Sequence, residues 1–62
     1  MKIEFNTDGA AFRGEYTGEP DEYSKRVEIE RILNKIAVEI YNGYDHGSVM
    51  DINGNKVGSW EI

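Results

Sequence analysis

The chain contains no cysteine and only one histidine among its 62 residues. Without cysteine no disulfide forms, and His46 alone cannot build the usual structural zinc sites, which combine several cysteine and histidine ligands. A chain this short buries only about 60% of the surface that its unfolded form exposes. We therefore expect a single domain with a small core and marginal stability, which self-association would raise.

Positive charge is also scarce. Seven Lys and Arg against twelve Asp and Glu give a formal net charge of −5 at pH 7. Proteins that bind nucleic-acid backbones use clustered positive charge, so we expect no direct nucleic-acid binding. No apolar run approaches the roughly 20 residues that span a bilayer, and residues 1–5 alternate instead of forming the apolar block of a signal peptide. These absences favour a soluble cytoplasmic protein without membrane contact.

A strand and a loop are indicated at the start of the chain. Residues 2–6 alternate between polar and apolar side chains, which predicts a strand with its apolar side chains on one face. Residues 6–9 have the composition of a turn. Residues 9–20 are rich in glycine and show no sustained period, so we expect a loop that docks Phe12 or Tyr16 on the core.

The strongest signal is a helix that begins at Pro20 or Asp21 and ends at Asn42. Proline suits the first turn of a helix, where its missing N–H would have no partner, and acidic residues there favour the positive end of the helix dipole. Gly43 is placed to close the last turn in the left-handed conformation. Apolar residues recur at the spacing of one buried helical face. The predicted core residues of the helix are Ile29, Ile32, Leu33, Ile36, Ala37 and Ile40.

Residues 47–62 predict a β-hairpin. Asn53-Gly54 lies between two apolar segments, which is the strongest short-range hairpin signal. Two registers remain open. A two-residue turn would pair Met50 with Val57, whereas a three-residue loop with a bulge at its glycine would pair Val49 with Val57.

The order strand, helix, strand, strand predicts an α+β domain in which a single helix packs on a three-stranded β-sheet. A right-handed crossover through the helix sets the first two strands parallel, with the C-terminal strand between them and antiparallel to both. Val57 and Trp60 differ in parity along their strand. Without a bulge they face opposite sides, so one side of the sheet would carry an exposed aromatic side chain.

Four segments of the chain carry a resemblance to known proteins. They are NTDGAAF at 6–12, RIL at 31–33, NGY at 42–44 and DINGNKVGSW at 51–60. In these segments the chain resembles the small uncharacterised proteins encoded in phages and prophages of bacteria. The resemblance implies a bacterial or phage setting, and it implies no activity and no site residue.

The polar residues of the hairpin turn imitate a calcium loop. Asp51, Asn53 and Asn55 match its first three ligand positions, but Lys56 replaces the turn glycine and Ile62 replaces the bidentate glutamate. We interpret these side chains as caps for the local backbone.

The other candidate motifs are equally weak. Asp45 and His46 have no second histidine nearby and sit in what we interpret as a solvated connecting loop. Glycines 9, 14 and 18 do not match the dinucleotide fingerprint, and mixed charges along the helix, among them Glu28 and Arg31, are typical of a solvated face. Acid–base catalysis by the carboxylates near the helix start would need a pocket, which so small a domain can hardly enclose. These carboxylates are Glu15, Glu19, Asp21 and Glu22. We expect no catalytic, cofactor or metal site and no enzymatic activity.

A second apolar stripe runs along the helix opposite the predicted core face. Its members are Tyr23, Val27, Asn34, Val38 and Tyr41. One interpretation is that the two tyrosines cover the sheet edge or receive the loop around Phe12. The other is an exposed strip that forms a homodimer or docks another protein. In a dimer, Asn34 would fix the register by bonding its twin across a two-fold axis.

The leading hypothesis is therefore a non-enzymatic protein-interaction or accessory module of phage or prophage origin, whose partner is another protein or a second copy in a weak homodimer. The alternative is an acidic inhibitor that mimics nucleic acid and blocks a host nucleic-acid-handling complex. A net charge of −5 with seven interspersed basic residues is modest for a mimic. An enzyme or a metal protein is disfavoured.

Overall fold

The alternating segments at the two ends of the chain form strands, and the periodic segment between them forms a helix. The computed structural model describes residues 1–13 and 22–62. Its elements are β1 (Lys2–Phe5), a short 3-10 turn (Ala10–Phe12), α1 (Glu22–Tyr41), β2 (His46–Met50) and β3 (Lys56–Glu61). This α+β arrangement confirms the predicted fold class. The predicted helix start at Pro20 or Asp21 lies outside the described residues.

The three strands form one sheet in the order β1-β3-β2. β3 is antiparallel to both of its neighbours. β1 and β2 therefore run parallel on either side of the C-terminal strand, as predicted.

The hairpin turns through a three-residue loop, as the second of the two predictions has it. The N–H of Gly54 donates to the Asp51 carbonyl and the N–H of Asp51 donates to the Asn55 carbonyl, and Gly54 has a φ of +84°.

Met50 pairs with Lys56 and Val49 pairs with Gly58, with a bulge between the two pairs. Val57 is the extra residue on β3, and residues 51–55 form the connection. The two-residue register is wrong. The three-residue loop with a bulge at Gly54 is confirmed at the turn, but its predicted Val49–Val57 pair is wrong, because Val57 bulges out and Val49 pairs with Gly58.

The bulge also changes which side chains face the core. Val57 packs against the core although it differs in parity from Trp60, and Trp60 itself is buried. The expected exposed aromatic side chain on the sheet is therefore wrong. The opposite face of the sheet is polar; its residues are Lys2, Glu4, His46, Ser48, Ser59 and Glu61.

The core lies between α1 and the sheet. Its buried members are Phe12, Ile32, Ile36, Val49 and Trp60, and the partly buried residues around them are Phe5, Ala11, Ile29, Ile40 and Val57. The ring of Phe12 stacks on that of Phe5 with centroids 6.4 Å apart. The predicted docking of Phe12 is confirmed, while Tyr16 lies outside the described residues.

The buried face of α1 is rotated from the predicted one. Leu33 is 42% exposed and Ala37 is exposed, so the prediction that these two belong to the core is wrong. Glu28 is buried instead, in one row with Ile32 and Ile36. A carboxylate takes this position because it reaches polar partners in the hairpin, as described below.

Glycine closes the helix as predicted. Gly43 has φ of +100°, in the left-handed region, and its N–H donates to the Ile40 carbonyl. Glycine adopts this conformation without the steric penalty of a Cβ. The chain thereby leaves α1 and enters β2 after four residues.

Candidate functional site

Exposed apolar side chains gather on the outward face of α1. Tyr41 is 91% exposed, Tyr23 76%, Val38 58% and Val27 51%, and Asn34 between them is also exposed. We call these five residues the outer stripe. The interpretation that Tyr41 covers the sheet edge is wrong, because almost all of its surface faces solvent.

Helix geometry explains why these side chains share one face. At about 100° per residue, the five positions fall within an arc of about 60°. The centre of that arc lies roughly 170° from the midpoint between the buried Ile32 and Ile36. The outer stripe therefore points directly away from the sheet.

A buried ion pair fixes the rotation of α1 about its axis. Glu28 is 5% exposed, and its two carboxylate oxygens accept from Arg31 Nε at 2.6 Å and Nη2 at 3.1 Å. The backbone N–H of Ile52 donates to the same carboxylate at 2.8 Å, and Arg31 Nη2 also donates to the carbonyl of Met50 at 3.1 Å. Donation to Glu28 raises the pKa of Arg31 above its usual value. These bonds tie the helix to the end of β2.

Sequence reasoning assigned Glu28 and Arg31 to a solvated charged face, which is wrong for Glu28. A signal was available in the spacing. Glu28 precedes Ile32 by four residues and Ile36 by eight, so all three lie in one row of the helix. A carboxylate in an apolar row needs a partner, and an arginine three residues later supplies one.

Asp51 organises the hairpin turn. Its Oδ1 accepts from the backbone N–H groups of Asn53 and Asn55, each at 2.9 Å, and its Oδ2 accepts from Asn55 Nδ2 at 3.3 Å. Donation from the Asn55 backbone is the main reason why the pKa of Asp51 lies below its usual value. The interpretation of this segment as a turn that caps its own backbone is confirmed.

Asp45 and His46 form an exposed pair. His46 Nδ1 lies 2.8 Å from Asp45 Oδ1, and both side chains are largely solvated. His46 opens β2, so its assignment to a connecting loop is wrong, whereas its expected solvation is confirmed. An Asp–His pair that activates a nucleophile works in a site that excludes water. The pair at this surface lacks that setting.

The indole nitrogen of Trp60 is buried and finds no acceptor within the described part of the chain. A Cβ added to Gly47 would lie 2.8 Å from this nitrogen and 3.0 Å from Oε2 of Glu39. The absence of a side chain at Gly47 therefore lets the Trp60 indole lie close against the backbone of β2. Trp60 is also the only tryptophan of the chain, so its fluorescence reports on the core.

Residues 1–13 and 22–62 present neither a metal-binding cluster nor a membrane-spanning helix. No group of three or more His, Asp or Glu side chains there is placed to hold a metal ion, and no helix there has the length and apolar character to cross a membrane. Glu15, Glu19 and Asp21 lie outside the described residues, as do glycines 14 and 18.

Comparison with known proteins adds no relative. No protein-family model matches the chain, and no curated protein or solved structure matches it.

Proposed function

We propose that this chain is a non-enzymatic protein-interaction module that docks another protein through the outer stripe. The main support for this proposal is that four large apolar side chains are exposed along one face of a helix whose opposite face already fills the core. Exposed apolar side chains that share one face mark interaction sites, and tyrosine is among the residues enriched in interface cores and binding hot spots.

The scaffold supports this role. The bonds of Glu28 and Arg31 tie α1 to the hairpin, so the outer stripe is presented by a helix already in place. A preorganised surface loses less conformational entropy on binding than a flexible one. A bacterial or phage setting and a cytoplasmic location are parts of the same proposal.

The distribution of surface charge supports apolar docking over nucleic-acid mimicry. Glu4 lies 3.6 Å from the ammonium of Lys2, and Glu22 lies 3.3 Å from the guanidinium of Arg26. A protein that mimics nucleic acid needs dense negative charge that neighbouring lysine and arginine side chains do not offset. These pairs reduce the local field that would attract a nucleic-acid-binding protein.

Affinity capture from a bacterial lysate tests the proposal. The immobilised protein is compared with Val38→Glu, which places a charge in the outer stripe, and with Ser48→Glu, which places the same charge on the polar face of the sheet. We expect the wild type and Ser48→Glu to retain the same partner and Val38→Glu to lose it.

The salt dependence of partner binding then distinguishes apolar docking from nucleic-acid mimicry. An apolar interface keeps most of its affinity between low and physiological ionic strength, because screening weakens charge–charge attraction far more than apolar contact. Equal retention by Val38→Glu and the wild type, or loss of the partner with salt in all three proteins, would argue for acidic mimicry instead.

A further inference from the structure

We infer that a second copy of this chain occupies the outer stripe, with the two α1 helices antiparallel across a two-fold axis. This inference rests on the proposed function, because it uses the same surface and names its occupant. The residues along that face are arranged symmetrically about one point of the helix. Three pairs share almost the same midpoint, and they are Tyr23 and Tyr41, Val27 and Val38, and Glu30 and Asn34.

The midpoints fall at positions 32, 32.5 and 32. With a rise of 1.5 Å per residue, the three pairs agree on the position of a two-fold axis to within about 1 Å. Rotation about that axis places Val27 against Val38 of the second copy and Tyr23 against Tyr41 of the second copy. An isologous interface requires such self-complementarity.

The polar pair at the centre selects the antiparallel orientation. Glu30 and Asn34 are both exposed, and the antiparallel arrangement brings each next to the other type, so that the Asn34 amide donates to the Glu30 carboxylate of the second copy. A parallel arrangement would instead place the two Glu30 carboxylates side by side. Antiparallel helices also oppose their dipoles.

The same geometry revises the role expected for Asn34. Its position lies about two residues from the axis, so the two Asn34 side chains are offset by roughly 5 to 6 Å along the helices. Glu30 of the second copy is therefore its partner, in place of its twin. Two such bonds, related by symmetry, set the register.

The available area predicts a weak dimer. An aromatic side chain buries roughly 150–250 Å² when fully covered, so the two tyrosines and two valines of the outer stripe supply on the order of 500 Å² per copy. The pair would then bury on the order of 1,000 Å², which is the lower limit for a specific interface. We expect a dissociation constant in the micromolar range.

Cysteine crosslinking tests the arrangement, because the chain has no cysteine of its own. Val27→Cys carrying an affinity tag is mixed with untagged Val38→Cys and oxidised. The antiparallel dimer brings these two positions together. Two copies of position 27 instead lie roughly 16 Å apart along the helices, beyond the Cα–Cα reach of about 7 Å for a disulfide.

We expect the mixed disulfide to exceed each homotypic disulfide by at least tenfold. The matched control is the pair Ser48→Cys and Ser59→Cys on the polar sheet face, which should crosslink only at the background rate. Predominant homotypic disulfides would overturn the antiparallel arrangement. A mixed yield no higher than that of the serine pair would overturn the dimer.

Sedimentation equilibrium separates this inference from the proposed function. We expect the wild type to dimerise with concentration, Val38→Glu to weaken the association at least tenfold with an unchanged circular dichroism spectrum, and Ser48→Glu to behave like the wild type. A wild type that stays monomeric at high micromolar concentration overturns the second copy as occupant. If Val38→Glu also loses its captured protein partner in that case, the proposed function stands. If Val38→Glu unfolds, the cysteine pairs decide the question.

Discussion

Replacing Glu28 with alanine tests whether a buried ion pair anchors the helix. The carboxylate accepts two bonds from Arg31 and one from the backbone of Ile52. A hydrogen bond to a charged group contributes about 1.5–3 kcal/mol, and removing one partner of a buried pair costs roughly 3–5 kcal/mol. The Arg31 side chain is 34% exposed and regains water when the pair is lost. We therefore expect a loss of about 3 kcal/mol, at the lower end of that range.

That loss is large for so small a domain. At about 0.05–0.15 kcal/mol per residue, a chain of this length has a total stability of roughly 3–9 kcal/mol. Urea denaturation followed by the fluorescence of the buried Trp60 measures the change directly. Glu28→Ala should shift the midpoint to much lower urea or leave a measurable unfolded fraction in buffer.

Two further variants isolate the charge. Glu28→Gln keeps the shape and still accepts from Ile52, so it should cost clearly less than the alanine variant. In a double-mutant cycle with Arg31→Met, the two changes should be non-additive by about 1–3 kcal/mol, because the partners are in contact. Glu28→Ala within 0.5 kcal/mol of the wild type, or additive changes in the cycle, would refute the anchoring role.

Three other predictions concern the core, the sheet and the turn. Ile36→Ala should cost about 2–5 kcal/mol in the same urea titration, and a change within 0.5 kcal/mol would place Ile36 outside the core. Gly58→Ala should detach β1, because the added Cβ would lie 2.5 Å from Phe5 Cα; normal amide-exchange protection in β1 would contradict this. The pKa of Asp51 lies below its usual 3.8, so its carboxylate stabilises the fold above the unfolded pKa, and that contribution is lost as pH falls through the folded pKa. Stability measured from pH 5 downward should therefore fall less steeply for Asp51→Asn than for the wild type.

The elements that rest on local patterns were predictable from sequence. The helix shows a 3.6-residue apolar period, and the hairpin shows Asn53-Gly54 between apolar segments. Both form close to where they were expected. The strand order β1-β3-β2 also agrees with the one expected from a crossover through the helix that sets β1 and β2 parallel.

The bulge on β3 could not be predicted in the same way. Val57 bulges out between the Met50–Lys56 and Val49–Gly58 pairs, and it packs against the core although Trp60 faces the same core. Turn dipeptides describe backbone preference at two positions. They carry no information on a bulge that lies three residues beyond the turn glycine.

The rotation of α1 about its axis explains why the tyrosines of the outer stripe are exposed. Burying Leu33 and Ala37, as the apolar period favours, would turn the helix by about 60°. That turn would move Glu28 toward solvent and bring Tyr41 to the flank of the sheet, where it would cover the sheet edge. The bonds from Glu28 to Arg31 and Ile52 hold the other rotation, at the cost of leaving Leu33 partly exposed. The buried pair thus selects which face α1 presents, and the exposed tyrosines are a consequence of how the helix is anchored.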